Sequence, residues 1–366
     1  MIKTISAALL LLLNAFSAFA FQDKVAFYVG SQDKDPQASI TLAELDLSTG
    51  GITVVDTFSH GAGPGYLAIS PNRKNLYAVS SENKLMSFSI GTDKKLTFLN
   101  SQSSEGENPC HVAVHPSGKM VLASNYTGGS FTAYPVEAGG KLGAPIYKEQ
   151  YSGTGPNTRR QEKSHAHFSA ATPDGRFVFV TDLGGDKIMN YAADAKSGKL
   201  MPNPAQPFFM AKPGSGPRHF VLSASGKELY LLNELEATLT TCSVDKNGVI
   251  KALNTYPTIP ADFSGTNTSA AVHLHPNGKF VYVSNRGHNS ISAFRIKGGG
   301  VLEKTDEQTQ NISTPRDFNI DPSGKWMIVG NQTGDNLVVY AVDPQTGKLT
   351  FKQEGVKVKL PICIVF

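Results

Sequence analysis

The 366-residue sequence predicts an all-β fold, a seven-bladed β-propeller with four antiparallel strands per blade. Three observations predict it. A β-hairpin motif recurs in six copies, the copies are spaced 45, 57, 51, 52 and 46 residues apart, and the two chain ends each carry part of a seventh copy. Self-similarity at this period, built from short strands, is the pattern of a propeller blade.

The motif is clearest from Gly216 to Glu234, GPRHFVLSASGKELYLLNE. Apolar alternation at Phe220 and Leu222 meets a small-residue turn ending in Gly226-Lys227, and a second apolar run follows from Leu229 to Leu232. Period-two alternation on either side of a glycine turn describes a hairpin. In chain order the turn appears as SPNRKNLYAV (Pro71), HPSGKMVLASN (Pro116), TPDGRFVFVTD (Pro173), SASGKELYLLNE (Ala224 in the proline place), HPNGKFVYVSN (Pro276) and DPSGKWMIVGN (Pro322). Two more strand-like runs follow each turn; after Pro71 they are Leu85 to Ile90 and Leu96 to Gln102.

The ends supply the seventh blade. The terminal LPICIVF matches the innermost strand that elsewhere reads GPGYLAIS, NPCHVAV or TPRDFNI, while VAFYVGS near the start matches a second strand and is followed by runs at Ile40 to Leu47 and Ile52 to Phe58. Pairing the last strand with the first three closes the ring and removes open sheet edges.

Residues 1–20 carry Lys3, an apolar run from Ile5 and a terminal Ala18-Phe19-Ala20. A basic start, a short apolar stretch and an A-x-A site read as a cleavable export signal, so residues 21–366 are expected to form a single propeller domain, periplasmic or secreted. Without Lys3 the balance is 33 basic to 30 acidic residues, with no basic run. That excludes a nucleic-acid surface, and no later segment is long and apolar enough to span a bilayer. Cys110, Cys242 and Cys363 lack CxxC spacing and are expected to be small buried hydrophobes rather than a disulfide framework.

A ring of similar blades brings equivalent positions around one axis, so residues are compared by offset from the turn proline. Six before it lie Gly65, Cys110, His167, Arg218, Ala270, Arg316 and, by alignment of LPICIVF, Ile362; ten after it lie Ser81, Tyr126, Leu183, Glu234, Arg286 and Gln332. A repeated scaffold carries an asymmetric site where its exceptions converge. Here those are His167, Arg218, Glu234, Arg286 and Arg316. Strand alternation would turn His111 and His219, one place further on, to the opposite face. HPNG and DPSG are expected to be turn chemistry. The polar insert from 147 to 164, with Arg159-Arg160, reads either as a lid or second anionic-substrate clamp beside the channel mouth or as a solvated loop, with the solvated loop preferred.

At these residues the chain resembles the seven-bladed propeller lactonases, a family that includes the propeller-type 6-phosphogluconolactonases and the 3-carboxymuconate lactonizing enzymes. The carrying stretches are SHAH (164–167), GPRHFVLS (216–223), NEL (233–235), AAVHLHPNGK with SNR (270–279, 284–286) and TPRDFNIDPSGK with GNQ (314–325, 330–332). The resemblance implies a site of one His, two Arg and a Glu. These fall on His167, Arg218, Glu234 and Arg286, with Arg316 as an alternative second Arg.

The expected activity is hydrolysis of a sugar-acid lactone, 6-phosphogluconolactonase-like, in a monomer without metal or cofactor. Glu234 or His167 would serve as base, and Arg218 and Arg286 as donors to an oxyanion, carboxylate or phosphate. Arg316, His165, His219 and Asn285 are expected to contact a small-molecule lactone or carboxylate substrate. Carboxymuconate cycloisomerisation and a non-catalytic binding propeller are the alternatives.

Overall fold

The computed structural model describes residues 23–366 apart from 36, 38, 62 and 195–197; the expected export signal at 1–20 lies outside them. Seven sheets form the ring. The closing blade pairs Pro361–Val365 with Lys24–Ser31, followed by Ser39–Asp46 and Ile52–Ser59. Its register sets Tyr28 opposite Val365 and Gly30 opposite Cys363. The ring therefore closes by the chain's two ends, as the sequence implies.

The innermost strands of the other blades are Leu67–Ile69, Pro109–Val114, Ala166–Ala171, Pro217–Leu222, Thr268–Leu274 and Pro315–Ile320. Each packs beside the next around the ring, with Pro361–Val365 between the last and the first. Six sheets have four strands, and the fourth blade departs from the pattern at its rim. There Lys199–Pro202 and Phe208–Met210 both pair with Lys187–Asp194, so two short strands share the outermost place.

Burial follows from this order. Second strands such as Asn75–Ser80 and Phe177–Asp182 are buried throughout, while the outermost Ile52–Ser59 is largely exposed. Among the described residues seven hydrophobic clusters form, one between each pair of adjacent blades. One of them packs Phe27, Val29 and Ile364 of the closing blade against Ile328 and Val339 of the seventh. Stability thus comes from blade-to-blade burial, at roughly 25 cal/mol per Å² of apolar surface.

The turns do more than reverse the chain. Gly118, Gly175, Gly226, Gly278 and Gly324 all adopt φ between 68° and 77°, a left-handed conformation that glycine takes without a Cβ penalty. Arg73 holds the same place at φ 58°. The histidine of each HP turn also latches the next blade: Nε2 of His115 bonds the carbonyl of Gly175, and Nε2 of His275 that of Gly324, both at 2.8 Å. The expectation that HPNG is turn chemistry alone misses this link between blades.

Candidate active site

The positions six before the turn share one backbone feature. The pairing register shifts around Cys110, His167, Arg218 and Arg316, each of which is skipped between paired neighbours. On the closing strand the shift leaves Ile362 without a partner. A bulge of this kind bends the strand and re-aims the extra side chain.

The bulge also suspends alternation, which corrects the expectation for His111 and His219. His219 is not turned away: its Nε2 lies 3.0 Å from Arg218 Nη1, and its ring centroid is 5.2 Å from that of His167. His111 and His219 instead line a second cavity of about 230 Å³ further along the innermost strands, with Tyr66, Phe168 and His273. His219 supports Arg218 from this side and does not line the pocket described next.

Where the innermost strands begin, a pocket of about 270 Å³ opens. This is at the small end for a ligand cleft and suits a single-ring molecule. Its wall takes Cys110, His167 and Arg316 from the bulged positions, and Ser81, Tyr126, Glu234 and Arg286 from the places ten after the turn. Lys34 and Arg160 join from loops. Four cations thus face one carboxylate, a lining that favours an anionic ligand.

Glu234 is the hub. Its Oε1 lies 2.6 Å from Arg160 Nη2 and 3.3 Å from Arg286 Nη2, and its Oε2 lies 2.9 Å from Arg218 Nε. The Arg218 contact is an ion pair whose angle falls short of a hydrogen bond. Burial alone would raise the Glu234 carboxyl; Arg286, Arg218 and Arg160 together hold it down at about 2. Arg218, only 2% exposed, is fixed further by donating from Nη1 to the carbonyl of Ala270. Arg286 donates to the carbonyls of Thr268 and Ser269, both at 3.4 Å. Burial and neighbouring cations lower Arg286 to about 9 and Arg316 to about 10, so both remain charged at neutral pH.

Two groups stand uncommitted beside this cluster. Among the described residues the Arg316 guanidinium has no hydrogen-bond or ion-pair partner. The buried His167 imidazole also has none, and its Nδ1 is sealed from solvent. Burial, then Arg218, Arg316 and Arg286, push His167 well below the usual histidine range, so it is neutral near pH 7. Cys110 lines the same wall, but burial pushes its thiol up to about 12, which leaves it a poor nucleophile.

His165 and Asn285 hold framework roles. His165 Nδ1 meets the Tyr126 carbonyl at 2.9 Å and its ring stacks on Tyr126 at 4.4 Å, so it positions a wall residue without lining the pocket. Asn285 bonds Thr258, Ser269 and Ser290. It occupies the same repeat position as Asn125, Asn233 and Asn331, whose side chains likewise make hydrogen bonds within the framework. That recurrence was the available sign of a structural residue. Arg160, from the 147–164 insert that the sequence presents as a solvated loop, reaches Glu234 and the Tyr126 hydroxyl.

A family profile described as "Lactonase, 7-bladed beta-propeller" matches residues 26–366. The chain belongs to this family. Membership places it among lactone hydrolases. It is 32% identical to a 6-phosphogluconolactonase of Bacillus subtilis, over 93% of this chain and 97% of that one. It is 33% identical to one of Formosa agariphila, over 88% and 94%. The solved periplasmic gluconolactonase PpgL of Pseudomonas aeruginosa superposes with a TM-score of 0.86 at 27% identity, covering 93% of this chain and 98% of that one.

Proposed function

We propose that the protein opens the ester of a sugar-acid lactone, with 6-phosphogluconolactonase-type activity, in the pocket at the channel mouth and without a metal. The observation that carries this is the pairing of uncommitted His167 and Arg316 with the arginine-bound Glu234 in one small pocket. Hydrolysis needs a base for water, donors for the oxyanion of the tetrahedral intermediate, and a way to protonate the departing ring oxygen.

His167 is neutral and without a partner, so it takes the proton from the attacking water and returns it to the leaving ring oxygen. Arg316 and Arg286 donate to the oxyanion. Glu234, with both oxygens engaged by arginines, is too weak a base for this step; it gathers the guanidiniums and sets their geometry. An anionic substrate offsets the cationic field on His167 and strengthens it as a base at the moment of binding.

Residues 1–20 and the periplasmic relative together support export, with residues 21–366 as the mature propeller. N-terminal sequencing of the periplasmic fraction checks it: a start at Phe21 is expected, and retention of Met1 rejects it.

The activity is tested by the decay of δ-gluconolactone and 6-phosphogluconolactone, corrected for spontaneous hydrolysis, with and without a chelator. Acceleration of either that survives chelation and disappears in His167→Ala supports the reading. No acceleration of either rejects it.

A further inference from the structure

Arg160 combines a fixed base with a partly exposed arm. Its loop folds into a tight turn in which the backbone N–H groups of Arg160 and Gln161 both donate to the Asn157 carbonyl, at 3.0 and 2.7 Å. The fully buried Gln161 side chain locks this turn. It donates to the Leu183 carbonyl at 2.9 Å and accepts from the Asn157 N–H at 3.1 Å. From this platform the Arg160 side chain spans the pocket to Glu234 Oε1 and the Tyr126 hydroxyl.

The three arginines on Glu234 are not equivalent. The Arg218 and Arg286 side chains are 2% and 14% exposed and are also bonded to main-chain carbonyls, whereas that of Arg160 is 35% exposed. If Arg160 left, Glu234 would keep two cationic partners, so no buried charge would be stranded. Lys34, exposed on a second loop, lines the same pocket.

We propose that Arg160 is a specificity-determining residue that exchanges its contact with Glu234 for an anionic group, phosphate or carboxylate, which the substrate carries away from its reacting carbonyl. This deepens the lactonase reading above and rests on it. The forked guanidinium matches either oxyanion in a bidentate contact, and Lys34 adds a second charge. A sugar lactone without such a group has nothing to offer in exchange and leaves Arg160 on Glu234. The exchange needs only side-chain rotation, because the turn beneath is fixed. No covalent step is involved.

Isothermal titration of the purified protein with gluconate, 6-phosphogluconate and glucarate tests this without turnover. Gluconate carries only the carboxylate released from the lactone; the other two add a phosphate or a second carboxylate at the far end. The wild type is expected to bind one of these two at least about tenfold more tightly than gluconate. Arg160→Gln is expected to abolish that preference while changing gluconate affinity less than about threefold, and Arg160→Lys to restore part of it. Which of the two is preferred identifies the anion. Equal losses for all three ligands would make Arg160 a mere support for Glu234 and overturn the proposal, as would a wild type with no preference. A protein that shows the Arg160-dependent preference yet opens no lactone keeps this inference and loses the lactonase reading.

Discussion

Replacing Glu234 by Gln removes the one negative charge from a cluster of buried cations, and the size of the effect follows from its surroundings. At about 1.4 kcal/mol per tenfold change in proton affinity, depression of the carboxyl from 4.5 to about 2 corresponds to about 3 kcal/mol favouring the ionised form. The substitution also leaves Arg218 and Arg286 facing each other without compensation, and breaking a buried pair costs about 3–5 kcal/mol. Urea unfolding at pH 7 should therefore show Glu234→Gln destabilised by about 3–5 kcal/mol. Because the folded carboxyl is depressed, its contribution is complete above the unfolded value near 4.5 and is lost as the pH falls through 2. The gap between wild type and variant should thus narrow below pH 4.5 and lose more than about half its Glu234-dependent part by pH 3. Adding Arg286→Met to the Gln variant should recover stability, since it removes a cation that no longer has a partner. A deficit below about 1 kcal/mol, or one constant from pH 7 to pH 3, would refute the view of Glu234 as the charge that holds the arginines together.

Further expectations concern catalysis and closure. His167→Ala should lower kcat for lactone opening by about 10²–10⁴-fold while KM changes little, as measured by initial rates. Because His167 must be neutral to accept a proton and is held below its ordinary range, the acid limb of the rate profile should lie below pH 6.5; a limb centred at 7 or above would exclude it as the base. Gly30→Ala should destabilise the closing blade severely, since a Cβ there would fall 1.9 Å from the Gly65 carbonyl oxygen; thermal unfolding reports the loss. Arg73→Gly should gain up to about 1 kcal/mol, because it alone among the six turns places a side chain at that left-handed φ.

The fold was legible because propeller blades repeat their turns in sequence. One copy, from Gly216 to Glu234, was enough to find the others, and LPICIVF announced ring closure by matching strands far from it. The split rim strand of the fourth blade was hidden, since Lys199–Pro202 and Phe208–Met210 together occupy what one longer run fills elsewhere. Within the site, offsets from the turn proline brought out His167, Arg218, Glu234, Arg286 and Arg316, whose chemistry breaks the repeat. The same comparison misplaced His219, because a β-bulge is a backbone event that leaves no residue-type signature in these strands. Asn285 shares its repeat position with Asn125, Asn233 and Asn331, and its side chain is likewise engaged in hydrogen bonds within the framework. Arg160 could not be assigned from offsets at all, because it lies on a loop outside the repeat.

The pairing of Lys24–Ser31 with Pro361–Val365 has a kinetic consequence. Ser31 and the Lys359 carbonyl, joined by a 2.7 Å hydrogen bond, are 328 residues apart in sequence. The first blade cannot acquire its innermost strand until the last residues of the chain have been synthesised. Until then its strand edge stays open, and the interfaces on both sides of that blade lack Cys363 and Ile364. Contacts this remote are slow to form, so ring closure should be a late event in folding. A chain held open in this way keeps an unpaired strand edge for as long as its end is withheld. The pocket, whose wall includes Ile362, would be completed only when this last strand is in place.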